Sequence, residues 1–218
     1  MTRAVRGWLL LPAAALGMLA GCAGPATSPR AAHAAGSGLA ADDWRRYATD
    51  ADRARLRGWR TAFVQGLSQA RAAGHGADIQ AEGALMEPDA GGADATIPAG
   101  NYRCRVTKLG VRGGGAGLAH VAYPYFRCRV GPGDRLQSFE KLTGSQRQVG
   151  ALYPDVAARR IFLGSLALGT EQRALRYGAD EDRDVIGVLQ NVGERRWRIL
   201  FPSPRYESLI DVMEIVPE

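Results

Sequence analysis

Four arginines carry the most suggestive chemistry in this sequence of 218 residues: Arg103, Arg105, Arg127 and Arg129. They alternate with apolar residues in two short segments, so on neighbouring β-strands all four side chains would share one outward face. Guanidinium groups bind phosphates and carboxylates through paired hydrogen bonds. The pattern predicts an anion-binding surface, and the alternative is that neighbouring acidic side chains neutralise it.

Two cysteines lie in the same two segments, in the opposite phase. Cys104 and Cys128 alternate with the arginines, so both face the predicted core side of their strands. They form an even pair once Cys22 is set aside, and they suit a compartment that permits disulfides. We expect a disulfide between them; the alternative is two separately buried thiols, because sequence does not show pairing geometry.

The third cysteine follows a segment typical of a secretory signal. Two arginines precede an apolar run at residues 8–20, which is too short to span a bilayer. The run ends in Leu-Ala-Gly-Cys at residues 19–22, which resembles the lipobox of bacterial lipoproteins. This resemblance implies cleavage after residue 21 and a diacylglycerol thioether at Cys22. Ala23 then implies sorting to the outer membrane, facing the periplasm; the alternative is a plain signal peptide or a short anchor.

The remaining reactive side chains form no recognisable motif. The histidines at positions 33, 75 and 120 are isolated in the sequence, and no zinc motif is present. No Gly-x-Ser-x-Gly elbow occurs, and the glycine-rich residues 113–117 lack the ending of a phosphate-binding loop. We therefore predict no metal site, no cofactor and no catalytic residue.

The charge balance is mildly basic. The chain has 28 Lys+Arg and 22 Asp+Glu, a net charge of +6, and its only two lysines are Lys108 and Lys141. An anionic partner is compatible with this charge. A nucleic-acid partner is not expected, because no dense block of basic residues occurs.

The composition divides the chain into five segments. Residues 1–21 are the predicted lipoprotein signal peptide, and residues 22–41 a flexible tether rich in Ala, Gly, Pro and Ser. Residues 42–76 form an amphipathic helical segment, with Thr49 as the predicted N-cap. Residues 77–100 are expected to form a loop with one short strand around residues 79–86, and residues 101–218 a β-domain. The helical segment is expected to pack on that domain; the alternative is a membrane surface.

Short apolar runs bounded by turn residues fill the β-domain. The expected strands lie near residues 102–106, 126–130, 136–142, 148–153, 160–168, 184–191, 195–201 and 208–216. Eight short strands without intervening helices favour an antiparallel barrel, because closure removes exposed edges. The predicted fold is mainly β with an N-terminal helical segment (α+β), the helix packed on the outside of a small barrel. Such an interior is either filled by side chains or holds one small molecule.

Several stretches resemble a bacterial family, the domain of unknown function 4893. The resemblance covers residues 42–217, and the family brings no activity, substrate or catalytic residue to carry over. The stretches are Asp43-Trp44-Arg45, Gly74-His75-Gly76-Ala77, Tyr102-Arg103-Cys104-Arg105-Val106, Phe139 with Lys141-Leu142-Thr143-Gly144-Ser145-Gln146-Arg147, and Arg205-Tyr206-Glu207-Ser208-Leu209 with Asp211-Val212.

These observations favour a non-enzymatic cell-envelope lipoprotein that acts as a binding or interaction module. Its expected partners are the membrane, through the lipid anchor at Cys22, and either an anionic envelope component or a small ligand inside the barrel. Two alternatives stay open: a small periplasmic protease inhibitor of the barrel type, and a hydrolase whose site no motif shows.

Overall fold

The computed structural model describes residues 42–114, 117–205 and 208–218. The predicted signal peptide, the lipidation site Cys22 and the predicted tether lie outside the described residues. Within the described part of the chain, no helix is long and apolar enough to cross a membrane.

Nine strands form one antiparallel sheet. Eight of them close into a barrel in the order β1-β3-β4-β5-β6-β7-β8-β9, because β9 also pairs with β1. The short strand β2 extends the sheet along the second half of β1. The predicted barrel with a helical segment on its outside is therefore confirmed. The strands are β1 Gly100–Leu109, β2 His120–Ala122, β3 Phe126–Val130, β4 Gln137–Lys141, β5 Gln146–Val156, β6 Arg159–Leu168, β7 Asp184–Gly193, β8 Arg196–Pro202 and β9 Ile210–Pro217.

The helical segment consists of a 3₁₀ turn, Trp44–Arg46, and two helices, α1 Asp50–Arg57 and α2 Trp59–Ala72. The Thr49 hydroxyl accepts a hydrogen bond from the Asp52 amide at 3.1 Å, as predicted for the N-cap. Gly58 separates the two helices, because its backbone leaves the helical conformation. One helix-period pattern in the sequence therefore spans two elements.

The apolar face of these helices packs on the outside of the barrel. Phe63, Leu67 and Ala70 are at most 1% exposed and belong to a core shared with outward-facing strand residues such as Leu109 and Ile210. Helix and sheet approach closely at Gly66, where a Cβ atom would lie 3.0 Å from the Cβ of Leu109. The expected packing of the helical segment on the β-domain is confirmed.

Residues 76–86 are helical, so the expected short strand around residues 79–86 is wrong. The segment forms α3, Gly76–Ala81, and a 3₁₀ turn, Gly83–Met86. A barrel side chain holds the end of this turn: the fully buried Arg198 of β8 donates hydrogen bonds to the carbonyl oxygens of Leu85 and Glu87, each at 2.8 Å. Burial lowers the pKa of Arg198 to about 10. Because Arg198 lies more than a hundred residues from this turn, no pattern in the neighbouring sequence predicts their contact.

The middle of the barrel is filled. The ring of Phe162 makes edge-to-face contacts with Phe139 and Phe201, with centroids 5.9 and 5.6 Å apart. Small residues on the interior face make room for these rings, because a Cβ atom on Gly164 would lie 2.6 Å from Phe162 and one on Gly187 2.9 Å from Phe201. The glycines therefore accommodate aromatic side chains in this part of the barrel.

One end of the barrel is closed by the segment that precedes β1. Ile97 is 1% exposed, and its carbonyl oxygen accepts a hydrogen bond from the side chain of Gln137 at 3.0 Å. The indole of Trp197 donates to the carbonyl oxygen of Thr96 at 2.9 Å and lies edge-on to the ring of Tyr102. We call this the closed end.

Candidate functional site

The opposite end of the barrel, which we call the polar end, has a different interior. Lys108 of β1, Lys141 of β4, Gln148 of β5 and Asp211 of β9 continue the phase of the interior apolar residues, and each is at most 8% exposed. Polar side chains in such positions need partners or a ligand, because burial without a hydrogen bond is costly. The polar end is therefore the candidate functional site.

Three adjoining cavities open at the polar end, and Lys108 lines all of them. The outermost is a groove of about 570 Å³ between the β1–β2 connection and Arg205. Tyr123 lines both this groove and a cavity of about 200 Å³ that reaches Lys141 and Gln148. We call the latter the inner cavity. A third cavity, about 30 Å³, is lined by Phe201 and Asp211 and also by Arg205. We call these three adjoining cavities, which share Lys108, the funnel.

Lys141 lies in the middle of this funnel. Its ammonium group donates a hydrogen bond to the carbonyl oxygen of Gln146 at 2.8 Å and lies 3.8 Å from the ring centroid of Phe126. Burial, with a smaller effect from the charge of Arg147, lowers the pKa of Lys141 to about 8. Among the described residues, no carboxylate forms an ion pair with Lys141.

Acceptor groups complete the lining. Lys108 lies opposite Asp211 in the β1–β9 register, and the Asp211 carboxylate also accepts a hydrogen bond from the hydroxyl of Ser208. The side-chain oxygen of Gln148 is buried and has no hydrogen-bond partner in the part of the chain that the structure describes. The site therefore presents one ammonium group without a carboxylate partner and one amide oxygen without a donor.

Both lysines of the chain line this site, and every other basic residue is an arginine. Lysine differs from arginine in being a compact point charge whose pKa shifts readily on burial. Sequence reasoning missed this site, although a signal was present. Lys108 continues the core phase of Cys104 and Val106, and Lys141 that of Phe139.

The cysteine pair lies on the interior face, as expected. Cys104 and Cys128 are at most 1% exposed and form a disulfide, with their Cα atoms 5.9 Å apart. The predicted disulfide is therefore present in the structure.

The four predicted arginines do lie outside the barrel, but their surroundings differ. Arg103 lies directly opposite Arg127 in the β1–β3 register and is stacked on the ring of Tyr125 at 4.9 Å. Arg129 pairs with Glu140 at 2.9 Å. Arg105 pairs with two acidic side chains, Glu82 and Glu214. Acidic neighbours thus neutralise two of the four, and anion binding by this face stays a prediction.

Glu214 is the centre of this ion-pair cluster. It is 2% exposed and also accepts hydrogen bonds from Arg196 and from the hydroxyl of Tyr125. Burial opposes its ionisation, but the hydrogen bonds from Arg105 and Tyr125 outweigh burial and lower the pKa of Glu214. We call α1, α2 and α3 the helical layer. The ion-pair cluster holds this layer to the barrel, because Glu82 directly follows α3.

Two of the three histidines, although isolated in the sequence, lie together in the structure. His75 follows α2, and His120 begins β2, the strand that sequence reasoning missed. Their rings stack with centroids 4.7 Å apart, and His75 Nδ1 lies 2.9 Å from a carboxylate oxygen of Asp78. His33 lies outside the described residues.

Comparison with known proteins identifies the relatives of the chain. Residues 44–215 match the model of a family described as a domain of unknown function, DUF4893. No curated protein and no solved structure matches the chain.

Proposed function

Because the chain belongs to the DUF4893 family, whose description assigns no activity, we propose a function from the site itself: a non-enzymatic binding module that takes a small anionic molecule into its polar end. The ligand carries a carboxylate or phosphate group and at least one hydroxyl or amine donor.

The single observation that carries this proposal is the environment of Lys141. Its buried ammonium group contacts a carbonyl oxygen and an aromatic ring, and no carboxylate among the described residues pairs with it. A buried charge without an ionic partner is unfavourable, and an anionic ligand group would supply that partner. The same ligand would raise the pKa of Lys141 and keep it protonated.

The other lining groups narrow the ligand class. The Gln148 side-chain oxygen has no donor among the described residues, so a ligand hydroxyl or amine would satisfy it. The inner cavity of about 200 Å³ is smaller than the roughly 300–1,000 Å³ of sites for drug-sized molecules. A hydroxy acid or a short phosphorylated polyol therefore fits the site in both chemistry and size.

The second part of the proposal is a lipid anchor at Cys22, based on the Leu-Ala-Gly-Cys sequence of residues 19–22. A flexible tether over residues 22–41 would give the barrel a reach of roughly 25 Å from the outer membrane. The protein would then bind its ligand on the periplasmic side. Chain expressed in a bacterial host should partition into detergent with the mass of a lipidated Cys22, and the variant Cys22→Ala should not. Detergent partitioning by Cys22→Ala would contradict the anchor alone.

The ligand site has an unusually direct test, because the chain contains only two lysines and both line the funnel. Protein labelled with ¹⁵N at lysine Nζ and ¹³C at Cε should give two side-chain signals in NMR spectra, each reporting on the site. We expect both signals to shift in a saturable way with inorganic phosphate, glycolate or glycerol phosphate, and to be unaffected by glycerol.

Two variants locate the binding. Lys141→Gln should weaken binding of the same anions at least about tenfold, which corresponds to about 1.4 kcal/mol. The matched control is the double variant Arg103→Gln with Arg127→Gln, which removes two exposed charges of the outer face without touching the ion pairs of Arg105. The control should bind like the parent. Loss of binding in this control, unchanged binding in Lys141→Gln, or no response of either lysine to the anions would overturn the proposed site.

A further inference from the structure

A second cluster, outside the cavity at Lys141, combines three metal-ligating side chains from α3, β2 and the connection between α2 and α3. His75 lies directly before α3, Asp78 lies within α3, and His120 lies in β2. One ligand atom from each of these side chains lies within 4.8 Å of the other two. We call these residues the His-Asp-His cluster.

The distance between the ligand atoms of His75 and Asp78 suits a shared ion. His75 Nδ1 and the nearer oxygen of Asp78 are 2.9 Å apart. Two ligands bound at about 2.1 Å to one metal ion lie about 3 Å apart when they occupy adjacent octahedral positions and slightly further apart in a tetrahedron. The third ligand atom, on His120, lies within 4.8 Å of the other two. Binding of one ion would require the His120 ring to turn out of its stacked position on His75.

The backbone already holds the three ligands together. Gly74 adopts a φ of +96°, which ends α2 and turns the chain so that His75 leads directly into α3. His120 is opposite Leu109 in the β1–β2 register, and Leu109 is fully buried against the helical layer. The backbone therefore keeps the three side chains near one another, and a metal ion would have to reorient only their rings and carboxylate.

We propose that the His-Asp-His cluster binds one zinc ion. Two imidazole nitrogens and one carboxylate oxygen form a ligand set that suits zinc, whereas calcium and magnesium take oxygen ligands alone. The side chains of His75 and Asp78 are 37% and 61% exposed, so the ion has access and its remaining coordination positions face solvent.

Zinc at this position would join the helical layer to β2. Val121, next to His120, lines the outer groove of the funnel, so the metal would hold one wall of that groove. The zinc site does not depend on the proposed ligand site, because none of its three residues lines the inner cavity at Lys141.

The test uses the full chain without an affinity tag, in a Cys22→Ser background so that this thiol cannot bind the metal. Zinc titration followed by calorimetry should show one saturable site per chain. Cobalt(II) in its place should give d–d absorption bands of a nitrogen- and oxygen-ligated ion. His75→Ala and His120→Ala should each weaken zinc binding by more than the roughly 10–100-fold cost of removing an outer-shell partner. Asp78→Asn should weaken it less.

The third histidine provides the matched control, because His33→Ala removes an imidazole outside the cluster. This variant should bind zinc like the parent. Melting curves of the cluster variants without metal should coincide with that of the parent, since the side chains of His75, Asp78 and His120 are partly exposed. Absence of a saturable zinc site in the parent, or zinc binding retained by the double variant His75→Ala with His120→Ala, would overturn the proposal.

Discussion

The two ends of the barrel are built from the same strands but have opposite interiors. At the closed end, Trp197, Tyr102 and Ile97 bury apolar surface beneath the segment that precedes β1. At the polar end, Lys108 and Lys141 occupy the equivalent interior phase of their strands. The closed end therefore contributes stability. The polar end keeps charged groups in positions where apolar residues would make the folded state more stable.

Strand β1 shows this division within one chain segment. Its interior-facing residues Tyr102, Cys104 and Val106 belong to the barrel core, and the next residue in the same phase is Lys108. A strand that served packing alone would continue with an apolar residue at that position. The change from apolar to charged along one phase therefore marks the boundary between the core and the site.

We expect the largest loss of stability from a substitution at the closed end. Trp197→Ala should lower the free energy of unfolding by about 3–5 kcal/mol, because it leaves a cavity and removes the hydrogen bond to Thr96. Urea denaturation measures the change. Trp59→Ala, whose ring is only partly buried in the helical layer, is the comparison and should cost less. Equal losses in the two variants would remove the special role of the closed end in stability.

The disulfide should have the next largest effect. The double variant Cys104→Ala with Cys128→Ala should lose about 3 kcal/mol, because it frees a loop of 24 residues in the unfolded chain. Denaturation with and without reductant checks this: reductant should destabilise the parent and leave the variant unchanged. Thiol titration of denatured, oxidised parent should detect neither Cys104 nor Cys128, and two reactive thiols at these positions would disprove the pairing.

At the polar end we expect a substitution to raise the free energy of unfolding, whereas substitutions at the closed end and at the disulfide lower it. Lys141→Met should raise the free energy of unfolding by about 1–3 kcal/mol, because it replaces a buried charge without a carboxylate partner by an apolar side chain of similar length. Arg127→Met on the exposed outer face is the control and should stay within about 0.5 kcal/mol of the parent. A clear loss of stability in Lys141→Met would mean that the polar end is built for stability as well.

The effect of Lys141 should also depend on pH. The pKa of Lys141 is about 8 in the folded protein, below its usual 10.5, so only the unfolded chain holds this proton between the two values. The free energy of unfolding of the parent should therefore rise relative to that of Lys141→Met as pH increases through this range. Below pH 8 the full penalty of the buried charge applies, and the gap is largest. A gap that does not change between pH 7 and pH 10 would contradict the lowered pKa.

The sequence predicts the barrel well because its strands alternate between two environments. Apolar and polar residues alternate in β1 and β3, and turn residues separate the later runs, so eight strands and the facing of both cysteines are readable. Strand β2 has three residues and no such alternation, and the 3₁₀ turn of residues 83–86 is held at its end by hydrogen bonds from Arg198. These elements are defined by distant partners and have no local pattern.

The lysine site and the His-Asp-His cluster also depend on contacts between residues that are distant in the sequence. The phase of Lys108 and Lys141 was readable, because each lies two residues beyond an apolar residue of a predicted strand, Val106 or Phe139. Their convergence was not, since it depends on the closure of the barrel and on the register of four strands. His75 and His120 are 45 positions apart in the sequence, and they meet only because β2 folds back along β1.

The pairing of β1 with β9 has a consequence for how the chain folds. These two strands join residues about a hundred positions apart, from Tyr102 opposite Pro217 to Leu109 opposite Ile210. Because β1 and its neighbours precede β9 by about a hundred residues, a sheet that forms from the N-terminal strands keeps one edge open until the final strand joins it. Such an edge can pair with another chain. Folding to the closed barrel is therefore a late and slow event, governed by the non-local contacts of the final strand.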